Sequence, residues 1–189
     1  EMRKNGLQPV DNPSEIFISQ GRRISAGSTI ISCMEGTRAL LVEIQALVAR
    51  ANFGMPERKV SGVDYNRVSM LLAILEKRIG LKLGGQDIFV NIVGGVQIDE
   101  PAADLGIAMT IASSFKEKVI PSDIVFVGEV GLGGEVRSVS QIEIRLKEAQ
   151  RLGFKRAVIP KDNAKGIGKE LGIERIEVCY LSEAVEIIG

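Results

Sequence analysis

From residue 66 to its end, the 189-residue chain alternates between helix-like and strand-like segments, and this order restricts its fold more than any other feature. Strand-like segments are short runs of β-branched residues, whereas helix-like segments repeat apolar residues every three to four positions. Such an order is typical of α/β domains, in which helices connect parallel strands. The predicted helices are residues 66–79, 104–115, 140–152, 163–171 and 182 onward, and the predicted strands are 87–93, 124–130, 157–160 and 175–180.

The part of the chain before residue 66 has a different pattern. Residues 29–34 and 38–48 are rich in aliphatic and β-branched side chains and are separated by the turn-like sequence EGT, which predicts a β-hairpin. Because the strands of a hairpin are antiparallel, we expect an α/β fold with a mixed sheet. Residues 50–64 show no period and predict a long, exposed, basic loop.

Charge is balanced across the chain, with 24 Lys and Arg residues against 24 Asp and Glu residues. Net charge therefore does not indicate a nucleic-acid partner, and any such contact must come from local clusters of basic residues. No run approaches the roughly 20 apolar residues that cross a bilayer, and no export signal is visible. We expect a soluble cytoplasmic protein without a membrane partner.

Histidine is absent from the chain, which excludes histidine triads, imidazole zinc sites and histidine general bases. Cys33 and Cys179 lie far apart in apolar, strand-like surroundings, which predicts reduced core thiols rather than a disulfide or a metal site. Any catalysis would therefore have to use Ser, Thr, Lys or carboxylate side chains.

Glycine pairs at positions 84–85, 94–95 and 133–134 invite comparison with phosphate-binding loops. None is followed by Lys-Ser or Lys-Thr at the required spacing, and none forms GxGxxG. Tight turns, which need residues that tolerate positive φ, explain these pairs. We expect no nucleotide, metal or other cofactor in this chain.

Three motifs in the second half of the chain are the most specific signal. Residues 101–109 read PAADLGIAM, residues 128–136 read GEVGLGGEV before a predicted helix, and residues 159–163 read IPKDN at a strand end. In order and spacing they resemble the motifs around the catalytic serine and lysine of the Lon protease domain. The resemblance covers nearly the whole chain and implies a Lon-protease-like α/β fold of two small subdomains.

Further segments are similar to the RadA family of bacterial DNA-repair proteins. They are NPSEIF at 12–17, a long helical segment at 60–78, and EPAADL at 100–105. This resemblance implies that residues 1–20 are a linker from a preceding ATPase domain and that residues 21–189 are the Lon-protease-like domain. ATP and Mg²⁺ would then belong to the preceding domain.

The Lon resemblance assigns the serine position to Asp104 and the lysine position to Arg145. A Lon-type peptidase needs a neutral lysine to deprotonate its serine, and arginine stays protonated in proteins, so we expect no peptidase activity. Arg145 lies within the apolar stripe of its predicted helix. We hypothesise that it forms an ion pair with Asp104; alternatively, its guanidinium reaches the surface.

An active peptidase with displaced catalytic groups is one alternative function. Each of its candidate nucleophiles lies at a helix end or turn, where serine commonly caps, and none has an evident base beside it. These candidates are Ser113, Ser114, Ser138 and Ser140, with Lys116 and Lys147 as the nearest lysines in sequence.

Basic clusters before and after the predicted hairpin are candidates for DNA contact, although ordinary solvated charge also explains them. The candidates are Arg22, Arg23, Arg50, Arg58, Lys59 and Arg67. The RadA family acts on recombination intermediates and assembles as a ring, so the resemblance favours sequence-independent DNA contact by a homo-oligomeric ring, expected to be a hexamer, with a recombinase as a further partner. A pure oligomerisation module without DNA contact is the other alternative.

Overall fold

The computed structural model describes residues Met2–Arg3, Gly6–Leu7, Ser14, Ile18, 25–51, 54–168 and 171–188. Its strands are β1 (Met2–Arg3), β2 (Gly6–Leu7), β3 (Ser28–Glu35), β4 (Arg38–Arg50), β5 (Arg58–Ser61), β6 (Gln86–Ile92), β7 (Ile124–Phe126), β8 (Glu129–Val130), β9 (Val136–Arg137), β10 (Arg156–Pro160) and β11 (Glu174–Val178). Seven of them form one mixed sheet in the order β11-β10-β7-β3-β4-β6-β5. Strands β1 and β2, and likewise β8 and β9, pair separately as antiparallel ribbons.

The helices of the described residues are α1 (Tyr65–Ile74), α2 (Asp104–Lys116), α3 (Ile142–Arg151), α4 (Lys161–Ala164) and α5 (Leu181–Glu186). Asp64 caps α1, because its carboxylate accepts a hydrogen bond from the Arg67 N–H at 2.8 Å. A π-helical turn, Leu75–Ile79, extends α1 until Gly80 ends it in the left-handed conformation at φ 80°. This confirms the predicted helix 66–79.

Strands β3 and β4 form the predicted hairpin, with Glu35 opposite Arg38 at its closed end. Strand β4 also pairs antiparallel with β6, which pairs in parallel with the edge strand β5. On the other side of β3, strands β7, β10 and β11 follow in parallel. The predicted α/β fold with a mixed sheet is confirmed.

Alternate residues of the central strands point to opposite faces of the sheet, and each face has its own core. On one face, Ile31 and Phe126 belong to a cluster with apolar residues of α1, α2 and α5. On the other face, Ile30 and Val125 belong to a cluster with apolar residues of α3. Helices α1 and α3 therefore lie on opposite sides of the sheet.

Helix α2 lies close against β3 and is buried along most of its length. At Gly106 a Cβ atom would lie 2.1 Å from Cγ2 of Ile31, so only glycine allows this approach. The Thr110 hydroxyl donates to the Gly106 carbonyl at 2.7 Å and contacts the Thr29 hydroxyl at 2.5 Å. Glycine and two hydroxyls thus hold helix and strand together.

Two predicted elements in the sheet differ in the structure. Residues 50–64 are not one long loop, because Arg58–Ser61 form the edge strand β5. A four-residue strand with Val60 as its one apolar residue shows no detectable period. The predicted strand 124–130 divides into β7, which joins the main sheet, and β8, which pairs with β9.

The predicted helix 163–171 is also wrong in length. The structure has a single turn there, Lys161–Ala164, before a segment that contains Gly166 and Gly168. Glycine in a helix interior costs about 1 kcal/mol relative to alanine, and two of them close together disfavour continuation. Residues 169–170 lie outside the described residues.

Parts of the predicted linker 1–20 are described, namely β1, β2, Ser14 and Ile18. Ser14 is buried; its hydroxyl accepts a hydrogen bond from the Leu41 N–H at 3.2 Å and donates one to Glu148 at 3.0 Å. This side chain joins β4 to α3. In the described part of the chain, no helix is both long and apolar enough to cross a bilayer.

Candidate functional site

Of the two positions that the Lon resemblance assigns to a catalytic dyad, Asp104 ends the short segment 100–104 and Arg145 contacts that segment at Glu100. A 3₁₀ turn, Pro101–Ala103, leads from Glu100 into α2. The Ala102 carbonyl accepts a hydrogen bond from the Gly128 N–H at 2.9 Å, and the Gly128 carbonyl accepts one from the Leu105 N–H at 3.0 Å. These bonds fix the segment against the end of β7.

Asp104 is fully buried at the N-terminus of α2, where the helix dipole favours a negative charge. Its carboxylate accepts two hydrogen bonds from the Arg67 guanidinium, one from Nε and one from Nη2 at 2.8 Å. A third comes from the Val130 N–H at 3.2 Å. Asp104 therefore joins α2 to α1, which contains Arg67, and to β8, which contains Val130.

Burial and hydrogen bonding act in opposite directions on this ion pair. Burial raises the pKa of the Asp104 carboxyl, while the hydrogen bonds from Arg67 and the Val130 N–H oppose that rise. The hydrogen bond to Asp104 raises the pKa of the Arg67 guanidinium. Since an unpaired charge in a core costs several kcal/mol, Arg67 is the group that makes a buried carboxylate tolerable here.

Arg145 is also buried, with only 1% of its side chain exposed. Its Nη1 and Nη2 atoms donate to the two carboxylate oxygens of Glu100 at 2.5 and 3.0 Å. Nη1 also donates to the Ser32 carbonyl at 2.7 Å, and Nε donates to the Ser140 carbonyl at 3.1 Å. The guanidinium thus connects α3 to β3 and to the segment before α2.

The hypothesis of an ion pair between Asp104 and Arg145 is wrong. Each residue forms a buried ion pair, but with a different partner: Arg67 for Asp104 and Glu100 for Arg145. The reason is the position of the helices, because α1 and α3 pack on opposite faces of the sheet. The alternative, that the Arg145 guanidinium reaches the surface, is also wrong.

Glu100 is the site residue that the sequence interpretation missed. It belongs to the EPAADL motif, but nothing in a linear pattern shows that its carboxylate turns toward α3. A usable signal was the arginine inside an apolar stripe, which requires a carboxylate partner. Two acidic residues in that motif, Glu100 and Asp104, were then candidates for one arginine.

The serines that could replace a lost nucleophile have other contacts or lie exposed. The Ser113 hydroxyl accepts from the Gly27 N–H at 3.0 Å, and the Ser114 hydroxyl accepts from the Val48 N–H at 2.9 Å. Ser138 and Ser140 are exposed. Among the contacts of the described residues, none joins a lysine ammonium to any of these four hydroxyls.

Three of the predicted DNA-contacting residues lie near one another on two strands. Arg50 ends β4, whereas Arg58 and Lys59 begin β5, and both strands flank β6. Arg50 and Lys59 are exposed and Arg58 is half-buried. The Lys59 ammonium lies 2.7 Å from Glu57, in an ion pair that is itself exposed.

The other predicted DNA-contacting residues are either bound within the fold or lie outside the described residues. Arg67 is bound to Asp104, and its side chain is only 23% exposed, so its charge is already matched within the fold. Arg22 and Arg23 lie outside the described residues. The candidates that remain among the described residues are therefore Arg50, Arg58 and Lys59.

Both cysteines are free thiols. Cys33 is buried in the core, as predicted, and burial raises the pKa of its thiol to about 11. Cys179 is only half-buried, at the end of β11. Within the described ranges, no group of three or more Cys, Asp or Glu side chains is arranged to hold a metal ion.

A protein-family comparison matches residues 44–163 to the family model described as subunit ChlI of Mg-chelatase. That match covers more than half of the chain. It begins in β4 and ends in α4, so it includes both ion pairs with the segment between them.

Curated relatives match almost the whole chain. The protein named DNA repair protein RadA of Bacillus subtilis (strain 168) is 54% identical over 185 residues, which is 98% of this chain and 40% of that protein. The RadA proteins of Halalkalibacterium halodurans and Synechocystis sp. are 51% and 44% identical over 187 residues, which is 41% and 37% of their lengths. The chain therefore spans about two fifths of the length of these relatives, and the expected similarity to the RadA family is confirmed.

Proposed function

This chain belongs to the family described as subunit ChlI of Mg-chelatase, and from its ion pairs and its similarity to DNA repair proteins we propose that it is a non-proteolytic Lon-like domain. In this role the domain holds copies of a DNA-repair protein in a ring and offers a basic surface to DNA. The proposal follows the RadA relatives rather than chelatase chemistry, because those relatives match 98% of the chain.

The observation that supports this proposal most strongly is the presence of separate buried ion pairs at the two dyad positions. A Lon-type base must release and accept a proton, whereas a guanidinium stays charged at every accessible pH. Arg145 is further fixed by Glu100 and two backbone carbonyls, and Asp104 by Arg67. Residues at the positions of a catalytic pair thus stabilise contacts between helices and sheet.

Arg50, Arg58 and Lys59 are the proposed DNA-contacting residues of the described chain. Strand register places Arg58 and Lys59 on opposite faces of the edge strand β5, with Arg50 across β6 on the same face as Arg58, so the proposed DNA backbone follows this edge of the sheet. Each phosphate neutralised by such a residue lowers the slope of log affinity against log salt by about 0.9 for duplex DNA. Contacts of this kind are independent of DNA sequence.

The ring is the second element of the proposal. A closed ring requires a heterologous interface, in which two different patches of each copy meet. The RadA resemblance favours six copies, each with an ATPase domain that uses ATP and Mg²⁺, and a recombinase as a partner of the assembly. Six weakly basic surfaces held together bind DNA much more tightly than one.

An electrophoretic shift experiment tests DNA contact. Duplex and single-stranded DNA are titrated with the chain at 50 to 300 mM salt. The wild type is compared with a triple variant in which Arg50, Arg58 and Lys59 are all changed to Gln. We expect wild-type binding that weakens steeply with salt, and a shallower slope with lower affinity in the triple variant. A charge-matched control, with Lys155, Lys161 and Lys165 changed to Gln, should bind like wild type.

Two results would contradict parts of the proposal. Equal affinity of the triple variant and wild type would remove the three residues as the DNA surface. Absence of wild-type binding at any salt, with a ring-sized mass by light scattering, would favour the pure oligomerisation module. A monomeric mass at all concentrations would contradict the ring.

A further inference from the structure

Half of one sheet face is uncovered by the helices of the described residues. Ile88, Val90 and Ile92 of β6 point into the core shared with α1 and α2. The alternate residues, Phe89 and Asn91, therefore point to the opposite face. Helix α3 covers that face over β3, β7 and β10, but its apolar contacts do not extend to β6.

Strand register aligns the side chains of this open face in two rows. Leu47 of β4, Phe89 of β6 and Lys59 of β5 are cross-strand neighbours and form the first row. Gln45, Asn91 and Ser61 form the second row in the same way. Leu47 is 60% exposed, which is unusual for a leucine in the middle of a sheet.

From these rows, Gln45, Leu47, Phe89 and Asn91 line a depression of about 340 Å³ next to Ser25, Ala26 and Gly27. Its volume lies within the range of small-molecule pockets, roughly 300–1,000 Å³. The wall at Gly27 is fixed, because its N–H donates to the Ser113 hydroxyl and its carbonyl accepts from the Ala46 N–H at 2.8 Å. A Cβ at Gly27 would lie 2.2 Å from the Ala46 carbonyl oxygen, so the chain must approach β4 this closely.

The chemistry of the depression matches one class of ligand. Phe89 and Leu47 supply a flat apolar surface, and the carboxamides of Gln45 and Asn91 supply donors and acceptors beside it. The Gln45 amide nitrogen donates to Glu43 at 2.9 Å, which orients the carboxamide. A planar aromatic ring with polar edges on an anionic chain is complementary to such a surface, and an unpaired nucleobase is that group.

The positive charge beside the depression is complementary to the phosphate of such a ligand. Lys59 follows Phe89 in the same row, at the edge of the sheet, whereas Arg58 and Arg50 point to the opposite face. The ion pair between Lys59 and Glu57 does not prevent a phosphate contact, because exposed pairs contribute little and exchange readily. Aromatic and cationic groups therefore lie in the order in which a base and its phosphate would meet them.

We propose that the open face of β4, β6 and β5 binds single-stranded DNA by stacking an unpaired base on Phe89 while Lys59 contacts the adjoining phosphate. This inference rests on the proposed DNA contact and adds to it a preference for single strands over duplex, since paired bases cannot reach the depression. The same stacking site tolerates every base, so the binding remains independent of sequence.

The test compares oligo(dT) of 20 nucleotides with a blunt-ended duplex of 20 base pairs. Phe89→Ala should weaken oligo(dT) binding by about 5- to 150-fold, the value of one stacked base, and leave duplex binding within about 2-fold of wild type. The control Tyr65→Ala removes an aromatic ring that is 50% exposed at the start of α1 and should change neither affinity. Thermal melting checks that each variant is folded.

A second variant keeps the test informative if Phe89→Ala does not fold. The chain contains no tryptophan, so Phe89→Trp introduces a single fluorescent reporter. Oligo(dT) should quench its emission and duplex should not. Equal loss of both affinities in Phe89→Ala, an unquenched reporter at saturating oligo(dT), or a change in oligomeric mass without a change in affinity would each overturn the inference. Wild-type failure to bind either DNA would instead overturn the proposed DNA contact itself.

Discussion

Arg145 and Glu100 form a bidentate ion pair between α3 and the segment that precedes α2, with donor–acceptor distances of 2.5 and 3.0 Å. The arginine is 1% exposed and the glutamate 24% exposed, so solvent reaches one side of the pair only. The Glu100 carboxylate also accepts from the Met34 N–H at 3.2 Å. The Glu100 carboxylate therefore binds both the Arg145 guanidinium and the backbone of β3.

Breaking this pair from the acidic side should strongly destabilise the fold. Glu100→Gln leaves the Arg145 charge buried without a counter-charge, which costs about 3–5 kcal/mol. Urea unfolding measures the loss, and Glu177→Gln, at an exposed position of β11, is the control that should stay within about 0.5 kcal/mol. Adding Arg145→Met to Glu100→Gln should recover part of the loss. A Glu100→Gln variant as stable as wild type would show that the pair contributes nothing.

Gly106→Ala should destabilise the fold although alanine is the better helix former. The added methyl group would meet Ile31 at 2.1 Å, and overpacking of this kind costs about 1–3 kcal/mol. In an uncrowded helix the same change would stabilise by about 1 kcal/mol. Gly85→Ala, where nothing lies within 4 Å of the new methyl group, is the control. A raised melting temperature for Gly106→Ala would disprove the close approach of α2 to β3.

The two thiols should react with Ellman's reagent at very different rates. With a pKa of about 11, only roughly one Cys33 thiol in a thousand is ionised at pH 8, and the side chain is buried. Cys179 is half-buried and should react first. Cys179→Ser should remove the fast phase and leave a thiol that reacts only after unfolding. Two equal rates in the native chain would contradict the burial of Cys33.

The Asp123–Arg156 pair should make a small, pH-dependent contribution to stability. The hydrogen bond from Arg156 lowers the pKa of the Asp123 carboxyl in the fold. The contribution is therefore complete above the unfolded-state pKa of about 4 and disappears as the pH falls through the lower folded-state value. Both side chains are about 30% exposed, so the expected size is about 0.2–1 kcal/mol. Wild type and Asp123→Asn should differ in urea midpoint at pH 6, and the difference should shrink as the pH falls through the lowered pKa of Asp123; a constant difference would refute the linkage.

Local patterns predicted the elements that depend on near neighbours in the sequence. The hairpin of β3 and β4 and the helix that ends at Gly80 were both visible, because turn residues bound clear periods. Strand β5 was not visible, since an edge strand of four residues leaves almost no pattern. The division of residues 124–130 between two sheets depends on β9, which lies further along the chain.

The ion-pair partner of each candidate-site residue was harder to predict from the sequence than the burial of the residue itself. Burial of Arg145 followed from its place in an apolar stripe, and the need for a carboxylate followed from burial. The choice of Glu100 over Asp104 depended on which face of the sheet each helix covers, and that is a property of the whole fold. The open face around Phe89 was equally hidden, although the alternation of Asp87, Phe89 and Asn91 in β6 was a signal for it.

The decisive measurement is hydrolysis of fluorescently labelled casein by the purified chain. We expect no turnover by wild type, and none by the Asp104→Ser, Arg145→Lys double variant, because a lysine at position 145 would lie against Glu100 and stay protonated. Turnover by wild type that is abolished by Asp104→Asn or by Arg145→Met would show that the two positions are catalytic, and would contradict their assignment to the support of the fold.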